Sequence, residues 1–335
     1  MEFKHYIGVD VSKNTLDFAV NANGQIISQF KCENHKKGIT QVIKEIRKLP
    51  AFKMTDAVFC MEFTGIYNNH LLDYLLGAKS SIWMETALRI KQSQGMTRGK
   101  SDVIDAMRIA EYAYTFRDKI RLWTPTREEL KKLQLLITMR DRVVNSITRF
   151  KVSAKENQEF SSKEFQKLEK RLTKNSIAAM KKDLASIDQQ IKELVKEDPH
   201  LNELFNLMTS ITGVGPVVAV NILVTTDEFK KFETPAQFAC YSGVAPFEHT
   251  SGKSIRGKTR VSHLANKKIK TLLNLAARAA ITAKGELREY YFRKVAQGKN
   301  KMSVLNAIRN KIIHRIFCVI KRGTPYQKNY LNPLA

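Results

Sequence analysis

The stretch His5-Tyr6-Ile7-Gly8-Val9-Asp10-Val11 decides the fold. It is an apolar, strand-like run that closes on a carboxylate. Two more strand-like runs follow at Thr15–Asn21 and Gln25–Lys31, and Asn23-Gly24 between them is a hairpin turn pair. A helix is predicted over Ile39–Lys48, because Ile39, Val42, Ile43 and Ile46 recur at helical spacing. The strand Ala57–Glu62 again ends on an acid. A helix near Tyr67–Leu76, a short strand at Ser81–Met84 and a helix over Val103–Tyr114 complete the pattern. Three meandering strands, then alternating helices and strands, is the order of a ribonuclease-H-like α/β domain.

Four carboxylates stand out in that frame. Asp10 and Glu62 end strands, while Asp102 and Asp105 open a helix at i, i+3 and so share one face. Acids converging from strand ends and a helix start suit a pair of Mg²⁺ ions, with Mn²⁺ able to replace them, since such cations take oxygen ligands in octahedral geometry. The bland reading is that each acid caps a helix or pairs with a lysine. For Asp102 alone that is respectable; for all four together it is poor.

Net charge sharpens the point. The chain carries 57 Lys+Arg against 32 Asp+Glu, a net of +25. The excess is concentrated late: from Ser251 onward there are 20 Lys+Arg against 2 Asp+Glu. So one-signed a stretch binds a polyanion by releasing its counterions. Cys32, Cys60, Cys240 and Cys318 have neither metal-ligand nor disulfide-framework spacing, which argues against a cysteine zinc site and for a reducing, cytoplasmic setting. No run of about 18 apolar residues is present, and Met1–His5 lacks a signal-peptide layout. A bacterial cytoplasm, at the nucleoid when acting, is the expected location.

Three regions are expected: an α/β domain over 1–125, a helical arm over 126–200 and a basic, mostly helical domain over 201–335. Thr126 caps a helix with Glu128 and Glu129 in its first turn. From there to Glu197 two apolar stripes flank a polar break at Ser161-Ser162, as in an antiparallel coiled-coil hairpin. We read it as a spacer or oligomerisation arm in preference to a strut packed within the monomer. Ile211-Thr212-Gly213-Val214-Gly215-Pro216 before the helix Val217–Val224 resembles a helix-hairpin-helix, whose turn N–H groups, at Gly213 and Gly215, meet a phosphate. A tight glycine turn between packed helices is the equal alternative. After the helix Pro235–Tyr241, Ser242–Arg260 reads as irregular and exposed, with serines set among Lys253, Arg256, Lys258 and Arg260 and, further on, Lys267 and Lys268. That setting favours an anionic nucleophile and a phosphate ester, although a loop serine is more often only a hydrogen-bonder.

With these residues in view, the chain resembles the transposases of the insertion sequence 110 type, kin to Piv-type site-specific DNA invertases. The resemblance rests on the order and spacing of Tyr6–Lys13, Met61–Tyr67, Lys100–Ala106, Ile211–Gly215, Phe238–Gly243 and Ser251–Gly257. It implies a RuvC-like domain whose Asp10, Glu62, Asp102 and Asp105 bind Mg²⁺, and a second catalytic domain with Ser251 as nucleophile. Ser242 and Ser254 are near competitors for that role. Also implied are a tetramer sharing active sites between protomers, and a structured non-coding (bridge) RNA pairing with target and donor DNA. Ser101 and Thr250 depart from the usual pattern without touching a ligand or the serine.

The expected activity is strand exchange through a covalent serine–DNA phosphodiester, with Lys253, Arg256, Lys258 and Arg260 gripping the backbone. The alternative is a Mg²⁺-dependent junction-resolving nuclease in which the carboxylates activate water and no adduct forms. A nucleic-acid-binding scaffold is a third reading. An α/β serine hydrolase is excluded, because no Gly-x-Ser-x-Gly elbow exists.

Overall fold

The computed structural model describes residues 3–93, 102–251, 255–261 and 264–327. The chain divides into two compact units, 1–125 and 126–335. In the first, β1 (His5–Val11), β2 (Thr15–Ala22) and β3 (Gln25–Glu33) form an antiparallel meander. Helices α1 (Lys36–Arg47) and α2 (Asn69–Gly77) carry the chain to β4 (Ala57–Glu62) and β5 (Ser81–Glu85), which add in parallel beyond β1. The sheet order is β3-β2-β1-β4-β5. Then come α3 (Ala87–Ser93), not anticipated from the sequence, and α4 (Asp102–Thr115).

Strand alternation sorts the side chains onto two faces. Ile7, Val9, Leu16, Phe18, Phe59 and Met61 are buried in one cluster with Ile39 and Ile43 of α1 and Leu71 and Leu75 of α2. Tyr6, Val58, Cys60 and Trp83 are buried on the other face with Ile109 and Tyr112 of α4. β1, covered on both faces, is therefore mostly apolar up to Asp10. Gly8 sets how close α4 can come: a Cβ there would lie 2.2 Å from the Ala110 nitrogen and 2.3 Å from the Ala106 oxygen. α1 begins earlier than its apolar stripe suggests because the His35 ring accepts from Gly38 N–H at 3.0 Å and caps it.

In the second unit, α5 (Glu128–Phe160) and α6 (Lys163–Glu197) form an antiparallel pair, with Arg140 Nε donating to Asp188 at 2.6 Å and Ser153 meeting Glu169. Their roots enter a core through Leu130, Leu133, Ile137, Ile187, Ile191 and Val195. At the far end Phe160 is 88% exposed and Phe165 and Leu172 each 67%, so the pair is a packed strut at its base and uncovered at its tip. That core also takes α7 (Pro199–Thr209), α8 (Pro216–Thr226), α9 (Pro235–Tyr241), α10 (Lys267–Thr282), α11 (Glu286–Ala296) and α12 (Lys301–Arg322).

The region read as irregular holds a β-hairpin instead: β6 (Pro246–Ser251) pairs antiparallel with β7 (Ile255–Val261), with an irregularity between Phe247 and His249. Phe247, Thr250, Ile255, Thr259 and Val261 supply strand formers, which the glycines and hydroxyls around them obscure in sequence.

Arg127 ties the base of α5 to the rest of the second unit. It donates to Glu228 Oε1 at 3.0 Å through Nε and to Asp198 Oδ2 at 2.9 Å through Nη1, and Lys230 Nζ reaches Glu228 at 2.7 Å. Burial alone would raise both carboxyls. The hydrogen bonds from Arg127, joined at Glu228 by Lys230, outweigh it and hold both below the usual carboxylate range. With folded pKa values depressed, this stabilisation is present above the ordinary carboxylate pKa and is lost as pH falls through the folded values.

Two outcomes follow. Gly8→Ala, overpacked against backbone, should cost about 3 kcal/mol or more by urea unfolding. Arg127→Gln leaves the Glu228 carboxylate buried and without its guanidinium, and should cost about 3 kcal/mol at pH 7. Its stability should also fall less steeply than the wild type's on acidification, and an unchanged acid limb would show that the network does not carry it.

Candidate active site

Each acid is placed by an element end. Asp10 is the penultimate residue of β1 and Glu62 the last of β4, next to it in the parallel register that pairs Val9 with Met61. Asp102 and Asp105 lie in the first turn of α4, the helix that Gly8 admits onto β1. Asp10 shares the α4 face of β1 with Gly8, two residues earlier. The sheet and the helix thus bring all four neighbourhoods to one edge of the first unit.

The electrostatics register this convergence. Burial, then the charges of Asp102, Asp105, Glu62 and Asp17, push the Asp10 carboxyl up from 3.8 to about 6. Burial first, and Asp105 second, raise Glu62 as well. Arg108 Nη1 donates to Asp105 Oδ1 at 3.1 Å and brings one positive charge to the set. Partly buried acids that repel one another call for positive charge from outside.

Asp17 escaped the sequence reading. It faces Asp10 directly across the β1–β2 ladder, and its side chain is 3% exposed. Lys31 on β3 meets its Oδ2 at 3.3 Å, while its Oδ1 has no hydrogen-bond partner. An i, i+7 separation across a hairpin carries no motif, so only the register reveals it. Glu85, beside Glu62 on β5, is already committed: it accepts from Tyr112 Oη at 3.0 Å and Thr86 N–H at 2.8 Å and pairs with Arg89.

The donor set is all hard oxygen, which fits a divalent cation such as Mg²⁺. Among the described residues, no three His, Cys, Asp or Glu side chains are drawn close enough to hold a single ion.

In the second unit, Ser251 ends β6 opposite Ile255, and Arg256, Lys258 and Arg260 follow on β7. Lys253 and Ser254 lie outside the described residues. Ser242 is fully buried and donates to Phe238 O at 2.7 Å, a structural commitment that removes it from competition as a nucleophile. Arg260 is exposed, as are Lys267 and Lys268 at the start of α10, where Lys268 is paired with Asp141. At Gly213 (φ +95°) a Cβ would meet the Ala276 oxygen at 2.4 Å, so close packing on α10 accounts for this glycine. Gly215, at the N-cap of α8, has open space instead.

The Asp10 shift makes a signed prediction. A raised carboxyl pKa contributes stability that is present in full below about pH 4 and lost as pH rises through about 6. Asp10→Asn should therefore stabilise the chelated protein at pH 8 by about 1 kcal/mol, after allowance for solvent screening, and leave it unchanged near pH 4. Urea unfolding at the two pH values measures it; equal effects at both would refute the crowding of these acids.

Comparison with known proteins fits this geometry. A transposase family profile of the DEDD type, named for insertion sequence 110, matches residues 7–157 and so spans all four acids. A second, described as the transposase IS116/IS110/IS902 family, matches residues 205–292, which include Ser251. Together the two cover more than half of the chain. The pilin gene-inverting protein of Moraxella bovis is 24% identical over 97% of this chain and 98% of its own length. An uncharacterized 43.6 kDa protein of insertion element IS110 from Streptomyces coelicolor is 31% identical over 46% of this chain and 36% of its own. T. thermophilus RuvC, solved with a Holliday junction substrate, aligns with 35% of this chain and 98% of that one at 12% identity, with a TM-score of 0.26. The fold rests on the strand order rather than on that superposition. The chain belongs to the IS110-type transposase family, enzymes of DNA transposition and recombination.

Proposed function

We propose that this transposase exchanges DNA strands through a covalent serine–DNA intermediate, with Ser251 as nucleophile and Asp10, Glu62, Asp102 and Asp105 as the divalent-metal ligands. The observation that carries the reading is the convergence of four carboxylates from two strand ends and one helix start, where burial, and after it the neighbouring charges, push Asp10 up to about 6. Mg²⁺ or Mn²⁺ bound there would supply charge neutralisation at the scissile phosphate. Asp17, held by Lys31, would back the site from the neighbouring strand.

In the proposed step the Ser251 hydroxyl gives up its proton and its oxygen bonds to phosphorus. The phosphorus–oxygen bond to the adjoining nucleotide breaks, and the departing hydroxyl takes a proton. A hydroxyl of the exchanged strand then attacks the serine phosphodiester, restoring a DNA phosphodiester and free serine. One phosphodiester is made for each one broken, so no nucleotide cofactor is consumed. Arg256, Lys258 and Arg260, which follow along β7, would hold flanking phosphates and carry no sequence information.

Sequence choice is assigned to a structured non-coding RNA that pairs with target and donor DNA, leaving the protein to read shape. The excess of 20 cations over 2 acids after Ser251 suits either polyanion. The exposed apolar tip of α5 and α6 favours assembly of several copies, with a tetramer as our reading.

A denaturing gel of protein incubated with recombination substrate, guide RNA and Mg²⁺ tests the chemistry. Wild type should yield a protein–DNA adduct and joined recombinant strands, and Ser251→Ala neither. Free DNA ends with no adduct would indicate water-activated cleavage by the carboxylates alone, as in a junction-resolving nuclease.

A further inference from the structure

A second feature of the basic unit is not used by that chemistry. A cleft of about 840 Å³ opens at the root of the β6–β7 hairpin, lined by Pro246, Arg260, Lys270, Asn306 and Arg309 among others. Three of these are cations, and none of the described residues lining the cleft is acidic.

Arg309 is the informative one. It sits on α12 and is only 6% exposed. Its Nη2 donates to Asn274 Oδ1 at 2.6 Å and its Nη1 to Asn306 Oδ1 at 3.3 Å, and its Nε has no hydrogen-bond partner. Both partners are neutral amides. A guanidinium cannot shed its charge in a protein, and burying it without a counter-charge is costly. Three half-buried arginines of this unit are matched to acids, Arg127 to Glu228 and Asp198, Arg140 to Asp188 and Arg315 to Glu286, while the less buried Arg288 and Arg322 donate to the backbone carbonyls of Thr282 and Pro325. Arg309 therefore holds an unspent donor and an uncompensated charge at the wall of a cleft.

The surrounding residues fix it there. Asn306 donates through Nδ2 to Val244 O at 2.8 Å, which orients its Oδ1 toward Arg309 and joins α12 to the segment entering β6. Gly243 (φ +64°) lets that segment pass close to α10: a Cβ there would meet Ala265 Cβ at 2.3 Å and Lys270 Nζ at 3.6 Å.

We infer that this cleft is a phosphodiester subsite, in which Arg309, Lys270 and Arg260 take a backbone phosphate of the nucleic-acid strand presented to the β6–β7 hairpin. The inference rests on the strand-transfer reading above and adds to Arg260 two positioning residues that the sequence did not suggest, Lys270 and Arg309. From Pro246 to Ser251 is five residues of strand, about 17 Å, or about five nucleotide rises at about 3.4 Å each. The subsite would thus hold the strand several nucleotides from the phosphate at Ser251 and set its register.

The test is fluorescence anisotropy on the full-length chain, with a single-stranded DNA and an RNA of one sequence, each about 20 nucleotides, over a salt series. Lys270→Gln and Arg309→Gln should each weaken binding several-fold and lower the magnitude of the salt slope by about 0.7, one phosphate contact on a single strand. Arg309→Lys should restore most of the loss, and Lys44→Gln on α1 should change nothing. A loss confined to one probe names which strand, DNA or RNA, occupies the cleft. If Arg309→Gln fails to fold, the Lys270→Gln slope decides. Wild-type affinity and slope in Lys270→Gln and Arg309→Gln would overturn the subsite while leaving strand transfer standing. So would a loss in Arg309→Gln with unchanged slope and no rescue by lysine. If the wild-type chain binds neither probe, the strand-transfer reading and the subsite fall together.

Discussion

The contact of α4 with β1 at Gly8 is the constraint on which the first unit depends. Backbone meets backbone there, because the missing Cβ leaves room for the Ala106–Ala110 turn and nothing else. Ala19 on the neighbouring strand keeps the surface shallow. A helix seated that low delivers its first turn to the carboxyl end of β1, and so Asp102 and Asp105 reach the edge where Asp10 and Glu62 end their strands. A larger residue at Gly8 would lift the helix and disperse the acids together. The glycine acts through geometry alone, as a spacer of zero thickness.

The two units use charge in opposite ways. In the first, acids are gathered so that burial and their neighbours' charges raise Asp10, a strain that a cation would relieve. In the second, several acids are spent on internal pairs: Glu228 and Asp198 on Arg127, Asp188 on Arg140, Asp141 on Lys268 and Glu286 on Arg315. Buried Arg309, by contrast, meets only the neutral amides of Asn274 and Asn306. An acidic, cation-seeking edge and a basic, phosphate-seeking surface are the complementary needs of an enzyme that works on nucleic-acid phosphodiesters.

Much of this was legible in the chain. The alternation in β1 to β3, the turn at Asn23-Gly24 and the helical spacing in α1 and α4 are local signals, and the structure places those elements within a few residues of where the pattern puts them. The β6–β7 hairpin was not legible, because its strand formers are interleaved with glycine, serine and lysine. Asp17 was missed for a different reason: its relation to Asp10 exists only through cross-strand register. Ser242 could not be set aside by composition; its burial and its bond to the Phe238 carbonyl commit it to the core.

The sequence by itself determined which residue types end each strand and begin each helix, and how unevenly charge is spread along the chain. Those properties follow from local periodicity and counting. Tertiary structure decided which acids become neighbours, which serine is withdrawn into the core and which arginine is buried without an acid. Each of these depends on distances between residues far apart in the chain, set by how closely backbones can pack. Gly8 shows the division most plainly: in sequence it is a small residue in an apolar run, and in the fold it is the point of contact that assembles the site.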